Sequence, residues 1–154
     1  MVFAMSSEPG KSSVVVEVPE HPAYLSVVRQ AVASIARQMG FDDVEILQLQ
    51  MAADEACSNV MEHGRPKSGK IKLKFQALPD KLVMQVRDRC GRFSPLERGL
   101  PDLDSYFRSP TGRGLGLVIL RNFVDEIRHS YRPNSGNTLS LTKYLSGEEK
   151  KERR

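Results

Sequence analysis

The chain has 154 residues, of which 40% are hydrophobic and 27% charged, and its formal net charge is +4 from 23 Lys and Arg against 19 Asp and Glu. This length fits a single domain that buries about 70% of its unfolded surface, and the composition excludes a disordered or collagen-like chain. Because no run approaches the ~20 apolar residues of a membrane span and residues 1–10 lack the pattern of a secretory signal, we expect a cytoplasmic protein.

The two cysteines and the charged residues add little to this picture. Cys57 and Cys90 are far apart and belong to no CxxC or Cys/His ladder, so the sequence predicts neither a disulfide framework nor a zinc site. The basic balance favours acidic partners such as nucleotide phosphates, nucleic acid or an acidic protein surface. The last eight residues, GEEKKERR, mix both signs and are typical of a solvated terminus.

The first half of the chain predicts one strand followed by two helices. Residues 13–18, SVVVEV, are β-branched and precede two prolines, which indicates a strand. Apolar residues recur at helical spacing over residues 22–39, and Gly40 marks the end of that helix. A second helix begins after Asp42 or Asp43 as its cap and runs to about His63, with Gly64 as the stop.

The second half predicts two hairpins separated by a loop and a helix. Residues 71–76 and 82–86 alternate in polarity and form the first hairpin, which has one solvated face. A long loop covers residues 90–110, a third helix runs from Gly114 or Gly116 to about residue 124, and residues 127–131 and 139–145 form the closing hairpin. The sequence therefore predicts a two-layer α+β domain over residues 12–145, with helices on one face of a mixed, mostly antiparallel sheet and flexible termini at 1–11 and 146–154.

Three groups of residues could carry chemistry. Glu55, Asn59 and His63 are spaced four residues apart and share one stripe of the second helix. Small neighbours at Ala52, Ala53, Ala56 and Cys57 indicate close packing, so Glu55 needs a ligand or a hydrogen-bond network there. The alternative interpretation is an exposed helix face with weak polar pairs, and the spacing alone does not distinguish the two.

The other two groups lie in turns. Residues 88–93, DRCGRF, follow the second strand of the first hairpin; Asp88 could accept a hydrogen bond from an exocyclic amine such as that of adenine, although Asp and Gly are also ordinary turn residues. Residues 111–117, TGRGLGL, place three glycines before a helix, an arrangement that can hold phosphates on converging N–H groups, or else a flexible hinge. Neither a Rossmann fingerprint nor a P-loop is present.

In this order, E-x-x-x-N on a helix, D-x-x-G after a hairpin strand and G-R-G-L-G-L before a helix, the motifs resemble those of the GHKL (Bergerat-fold) ATPases. The resemblance covers about residues 12–145. The short single-domain form, the D-E-A-C-S-N segment and the ending N-T-L-S-L-T-K-Y-L are most similar to the bacterial anti-sigma factor serine-protein kinases. That family binds ATP with Mg²⁺, binds a sigma factor, and phosphorylates a serine on an anti-anti-sigma (STAS-domain) antagonist.

The resemblance implies a role for each matching residue. Glu55 corresponds to the general base, Asn59 to the Mg²⁺ ligand, and His63 to a position near the nucleotide. Asp88 corresponds to the acceptor of the adenine amine, Phe93 ends that motif, and Thr138 falls where the family has a threonine lining the adenine site. Gly112, Gly114 and Gly116 correspond to the glycines at the end of the ATP lid, and Arg113 is placed to meet phosphate charge. Leu115, between these glycines, also belongs to the implied nucleotide site, and residues 94–110 would be the lid itself.

One motif departs from the family pattern. Family members commonly have D-x-G-x-G-F or D-R-G-P-G-F, whereas this chain has Cys90 and Arg92 where glycines are expected. A Cβ at these positions could crowd the base or restrict the lid. Two functions follow from the resemblance: an ATP-dependent serine-protein kinase that is also an anti-sigma factor, or a non-catalytic, ATP-responsive protein-binding module in a partner-switching pathway.

Other functional classes are less consistent with the sequence. A nucleic-acid-binding domain is disfavoured because no helix-turn-helix, aromatic platform or contiguous basic face is present. A histidine kinase fragment would carry a helical dimerisation segment with a phosphoacceptor histidine before the ATPase domain, and His21 is better placed as a cap or surface residue. By analogy with the family, the first helix could contribute to a homodimer.

Overall fold

The computed structural model describes residues 4–8, 11–94 and 115–146, together with Leu96, Asp104 and Arg108. Within these residues the strands are β1 (Ala4–Glu8), β2 (Lys11–Pro19), β3 (Lys70–Ala77), β4 (Lys81–Asp88), β5 (Glu126–Arg132) and β6 (Gly136–Tyr144), and the α-helices are α1 (Leu25–Met39), α2 (Asp43–His63) and α3 (Leu115–Phe123). The strands form one sheet in the order β1-β2-β3-β4-β6-β5, and every described pair is antiparallel.

The helices pack on one face of this sheet, which confirms the predicted two-layer α+β fold. Side chains alternate along β3, where Ile71, Leu73 and Phe75 are buried and the intervening lysines are not. The buried faces of the strands meet the buried residues of the helices in one apolar core. None of the described helices is long and apolar enough to cross a membrane.

Local signals set the bounds of α1 and α2. Gly40 ends α1 in the left-handed conformation, with φ of 93°, as the sequence predicted. Asp42 caps α2 in a capping box: its Oδ1 accepts from Glu45 N at 2.8 Å, and Glu45 Oε2 accepts from Asp42 N at 3.0 Å. A short 3-10 turn, Pro22–Tyr24, precedes α1, so the α-helix begins three residues later than predicted.

Gly64 ends α2 for a different reason from the one predicted. Its φ is −63°, which any residue can adopt, so it is not a left-handed stop. A Cβ at Gly64 would lie 2.6 Å from Cys90 Sγ and 2.6 Å from the carbonyl oxygen of Val60. The glycine therefore permits close contact between the end of α2 and the loop after β4.

The N-terminal segment extends the sheet beyond the predicted domain boundary. The sequence predicts a flexible terminus over residues 1–11, whereas the structure places Ala4–Glu8 in β1, with Ala4 opposite Val15 and Glu8 opposite Lys11. The segment AMSSE has low intrinsic strand propensity, so pairing with the free edge of β2 accounts for its conformation. Of the predicted flexible C-terminus, residues 146–154, all but Ser146 lie outside the described residues.

A buried carboxylate fixes the loop between α2 and β3. The Glu20 side chain, only 2% exposed, accepts hydrogen bonds from Ser68 N and Gly69 N and lies 2.9 Å from Lys67 Nζ. Burial alone would raise the pKa of Glu20, but these partners together lower it. The same loop contacts the segment after β4, because Arg65 O accepts from Gly91 N at 2.9 Å.

Candidate functional site

Asp88 is a buried carboxylate at the end of β4. It is 4% exposed, and its Oδ1 accepts from Cys90 N at 2.8 Å and from Asn137 Nδ2 at 3.0 Å. Asn137 lies directly opposite Asp88 in the pairing of β4 with β6. A carboxylate this deeply buried requires such donors, and they fix its orientation.

A cleft opens beside Asp88 between α2 and the sheet. It brings together three of the predicted site residues, Asn59, Asp88 and Phe93. The other lining residues, mostly apolar, are Ala56, Val60, Val86, His129, Asn137 and Leu139. Apolar walls with a few fixed polar groups match the chemistry of a flat heterocycle that offers a hydrogen-bond donor to a carboxylate. The cleft has a volume of about 10 Å³ in this structure, so its walls must move apart to admit such a ligand.

The amide of Asn59 has unused hydrogen-bonding capacity in this cleft. Its Nδ2 is buried and has no hydrogen-bond partner among the described residues. Buried polar groups are rarely left unpaired, and such a group in a cleft indicates a ligand position. Amide oxygen is also a suitable ligand for Mg²⁺.

Glu55 lies one turn before Asn59 and packs against the start of α3. A Cβ on Gly116 would lie 1.7 Å from Glu55 Oε1 and 2.0 Å from Cδ, so only glycine leaves room for this carboxylate. Burial raises the pKa of Glu55, and the charge of Glu62 raises it further, while Asn59 and His63 act in the opposite direction. The carboxylate is thus held as a stronger base than an exposed glutamate.

His63 occupies the outer end of the same stripe. Its side chain is 59% exposed, lies 3.7 Å from Glu62 at the closest N–O distance, and has its ring centroid 6.0 Å from that of Phe93. The predicted stripe of α2 therefore runs from a partly buried carboxylate, through the cleft, to an exposed imidazole beside Phe93.

The glycine-rich turn is described only at its end. Gly112, Arg113 and Gly114 lie outside the described residues, as does most of the predicted lid, whereas Leu115 and Gly116 begin α3. Leu115 is 48% exposed. Gly116 is thus the one glycine of this motif whose contact the structure defines, and that contact is with Glu55.

Thr138 is not brought to the cleft. Side chains alternate along β6, so that Asn137 and Leu139 face the helices and line the cleft while Thr138 lies on the other face. Thr138 pairs with Arg87, whose side chain is exposed. The predicted threonine position is therefore off by one residue, and Asn137 occupies the place beside Asp88.

Neither of the residues that replace family glycines lines the cleft as the structure describes it. The Cys90 side chain is 2% exposed and contacts the region of Gly64, and burial followed by the nearby Asp88 raises its pKa. Arg92 is exposed and borders a separate depression beside β5. The Cβ atoms at these two positions are accommodated outside the cleft.

The sequence motifs do not predict two of the residues at the site, Asn137 and His129. His129 Nε2 lies 3.2 Å from Asn137 Oδ1. The segment PNSGN, residues 133–137, predicts a turn, and nothing in it distinguishes Asn137 as a site residue. Predicting Asn137 would require the register of β6 against β4, in which Asn137 lies opposite Asp88. Because about fifty residues separate these two strands in the chain, no local signal gives that register.

Comparisons with known proteins agree with this geometry. The profile of a family described as "Histidine kinase-like ATPase domain" matches residues 18–143. The serine-protein kinase RsbW of Bacillus subtilis is 33% identical over 139 residues, which is 86% of this chain and 85% of that protein. RsbW of Bacillus velezensis is 32% identical over 139 residues, and RsbW of Bacillus pumilus is 30% identical over 141, with the same coverage of both chains.

Proposed function

The chain belongs to the family of histidine kinase-like ATPase domains, and we propose that it is an ATP-dependent serine-protein kinase that acts as an anti-sigma factor. In this proposal it binds a sigma factor and phosphorylates a serine on a STAS-domain anti-anti-sigma protein. The observation that carries it is the site itself: a buried Asp88 and an unpaired Asn59 amide in one cleft, with the Glu55 carboxylate one helical turn away. The names of the relatives support the same reaction.

The cleft would receive the adenine base. Asp88 accepts a hydrogen bond from its amino group, and the apolar walls at Val60, Val86 and Leu139 cover its faces. Phe93, at the mouth beside His63, borders the bound nucleotide. By the family resemblance, Gly112, Arg113 and Gly114 would bind the phosphates through backbone N–H groups and one guanidinium.

Asn59 would hold Mg²⁺ through its amide oxygen. The chemistry of the group supports this assignment, because Mg²⁺ prefers oxygen ligands. The unpaired Nδ2 of the same amide is a donor that would suit a phosphate oxygen. When bound, the cation neutralises charge on the phosphates. Phosphate oxygens and water would complete its coordination.

Glu55 would act as the general base. It accepts the proton of the serine hydroxyl while the serine oxygen forms its bond to the γ-phosphorus and the bond from that phosphorus to the ADP oxygen breaks. The partly buried position raises the pKa of the carboxyl group and favours this proton transfer. Gly116 keeps the carboxylate close to the start of α3.

The test is phosphoryl transfer from γ-labelled ATP to a STAS-domain protein encoded in the same genome. The wild type should label the STAS protein, and Glu55→Ala should bind ATP with little change but lose transfer by about 10²-fold or more. Asp43→Ala removes an exposed carboxylate from the first turn of the same helix, about three turns before Glu55, and should keep the wild-type rate. Labelling by Glu55→Ala at the wild-type rate would refute the assigned base.

A second outcome of this assay would favour the other function. A complex with sigma factor or STAS protein that depends on ATP, without any phosphoprotein, would identify a non-catalytic binding module of the same fold. Both functions operate where ATP and sigma factors are found, so the proposal places the protein in the cytoplasm, as a monomer or homodimer.

A further inference from the structure

The side chain of Asn137 makes four hydrogen bonds inside the site although it is 2% exposed. Its Nδ2 donates to Asp88 Oδ1 at 3.0 Å and to Gly91 O at 2.9 Å. Its Oδ1 accepts from Phe93 N at 3.2 Å and lies 3.2 Å from His129 Nε2. Every hydrogen-bonding position of this amide is therefore used.

These partners determine which way the amide points. Phe93 N–H can only donate and Gly91 O can only accept, so an exchange of the amide oxygen and nitrogen would place donor against donor and acceptor against acceptor. With Oδ1 facing His129, the histidine must carry its proton on Nε2 to donate to it. His129 thereby adds a second donor that stabilises the observed orientation of Asn137.

We propose that Asn137 is the positioning residue that orients Asp88 and the loop after it for adenine recognition, and that His129 fixes the orientation of Asn137. The inference rests on the nucleotide binding proposed above. Asp88 Oδ1 accepts from Cys90 N–H at 2.8 Å and from Asn137 Nδ2 at 3.0 Å. The second carboxylate oxygen is then the one presented to a ligand amine.

The same amide compensates for the missing glycines of the loop. The segment from Cys90 to Phe93 is tied at four backbone atoms: Cys90 N to Asp88, Gly91 N to Arg65 O, and Gly91 O and Phe93 N to Asn137. No residue other than glycine in the described ranges has a positive φ, so Cys90 and Arg92 are unstrained there. Three of these four hydrogen bonds come from side chains, and they set the path of this loop together with Gly91, where a Cβ would lie 2.6 Å from Arg65 O.

Loss of Asn137 should reduce the selection of adenine over guanine. Adenine offers an amine to Asp88, whereas guanine offers a carbonyl oxygen that a carboxylate repels. We expect Asn137→Ala to weaken ATP binding by about 10- to 100-fold, the effect of losing a hydrogen bond to a charged group. GTP binding gains nothing from the fixed carboxylate, so the ratio of GTP to ATP dissociation constants should fall by a similar factor.

Calorimetry with Mg-ATP and Mg-GTP tests this on the full chain. The control is Ser140→Ala, which lies on β6 but outside the cleft and should keep the wild-type ratio. His129→Leu should weaken ATP binding several-fold, and His129→Gln, which retains an N–H donor, should restore it. Because the histidine variants leave Asn137 in place, they decide the matter if Asn137→Ala does not fold.

Hydrogen exchange of the nucleotide-free protein provides a second readout. The Phe93 amide should exchange about tenfold faster or more in Asn137→Ala than in Ser140→Ala, because its acceptor is gone. Wild-type protein that binds no ATP would refute the proposed function, and the Phe93 exchange rate would still show whether Asn137 holds the loop. Tight, selective ATP binding by Asn137→Ala and His129→Leu would refute the inference alone.

Discussion

Replacing Gly116 by alanine should separate catalysis from stability. Gly116 is the second residue of α3, and a Cβ there would lie 1.7 Å from Glu55 Oε1, whereas carbon and oxygen atoms in contact need about 3.5 Å. The carboxylate must therefore move by about 1.5–2 Å, a distance given by the difference between these separations. A shift of this size removes the base from the position in which it takes the proton, so transfer should slow by about 10²-fold or more.

The free energy of unfolding should change little in the same variant. The displaced group is the end of a flexible side chain, and moving it costs about 0.5–1.5 kcal/mol in rotamer energy. Alanine in place of glycine in a helix gains up to about 1 kcal/mol, which offsets most of that cost. Since 1 kcal/mol corresponds to about 2–4 °C in a chain of this size, Tm should stay within about 4 °C of the wild type.

A double-mutant cycle with Glu55→Ala tests this reasoning. In that background the overlap is absent, so Gly116→Ala should cause no further loss of transfer and should raise the free energy of unfolding. Transfer rates, ATP affinity and urea denaturation would be measured for all four proteins. An unchanged transfer rate in Gly116→Ala, or an equal further loss in the Glu55→Ala background, would refute the proposed contact between the two residues.

Three further predictions concern stability and reactivity. Gly136→Ala should lower the free energy of unfolding by about 2 kcal/mol or more in urea denaturation, because φ is 80° and a Cβ would lie 2.0 Å from the backbone oxygen of Asp88; a loss under about 0.5 kcal/mol would contradict this. Glu55→Gln should have a larger free energy of unfolding than the wild type at pH 8, because the raised pKa of Glu55 means that its ionised form is disfavoured in the folded state. This difference in stability should shrink as the pH falls toward 4.5, and a difference that does not vary with pH would contradict the prediction. Burial raises the pKa of Cys57 to about 12, so the native protein should resist a thiol reagent at pH 8 and react there only when unfolded, with rapid native labelling of this cysteine as the contrary result.

Helix bounds and the first hairpin could be predicted because their signals are local. Asp42 and Gly40 act on residues within one turn of themselves, and the alternation in β3 reports directly which face is buried. β1 could not be predicted in this way. Its strand conformation comes from pairing with β2, which its own residues do not specify.

Site residues that belong to a sequence motif could be predicted, whereas residues whose position depends on strand register could not. The resemblance to the ATPase family assigns Asp88, Asn59 and Phe93 to the nucleotide site, and the structure places these three residues around one cleft. Thr138 and Asn137 are adjacent, and one residue of register exchanges the two faces of a strand. The sequence contains no local feature that separates them, so the wrong neighbour was assigned to the cleft.

Two glycines have roles that differ from the predicted ones because of contacts with residues distant in the sequence. Gly116 was assigned to phosphate binding from its motif, but its contact with Glu55 joins residues 61 positions apart. Gly64 was assigned to a helix stop, but it is required by the approach of Cys90. In both cases the residue type was recognised correctly while the group it contacts lay in another element.

Calorimetry with Mg-ATP determines whether the cleft beside Asp88 is a nucleotide-binding site. Wild-type protein should bind ATP in the presence of Mg²⁺. Asp88→Asn should abolish binding, because a neutral amide loses the charge-assisted hydrogen bonds that Cys90 N and Asn137 Nδ2 donate to the carboxylate and that hold it in position. Asn59→Ala should weaken binding in a manner that depends on Mg²⁺. No binding by the wild type, or equal binding by Asp88→Asn, would contradict the account.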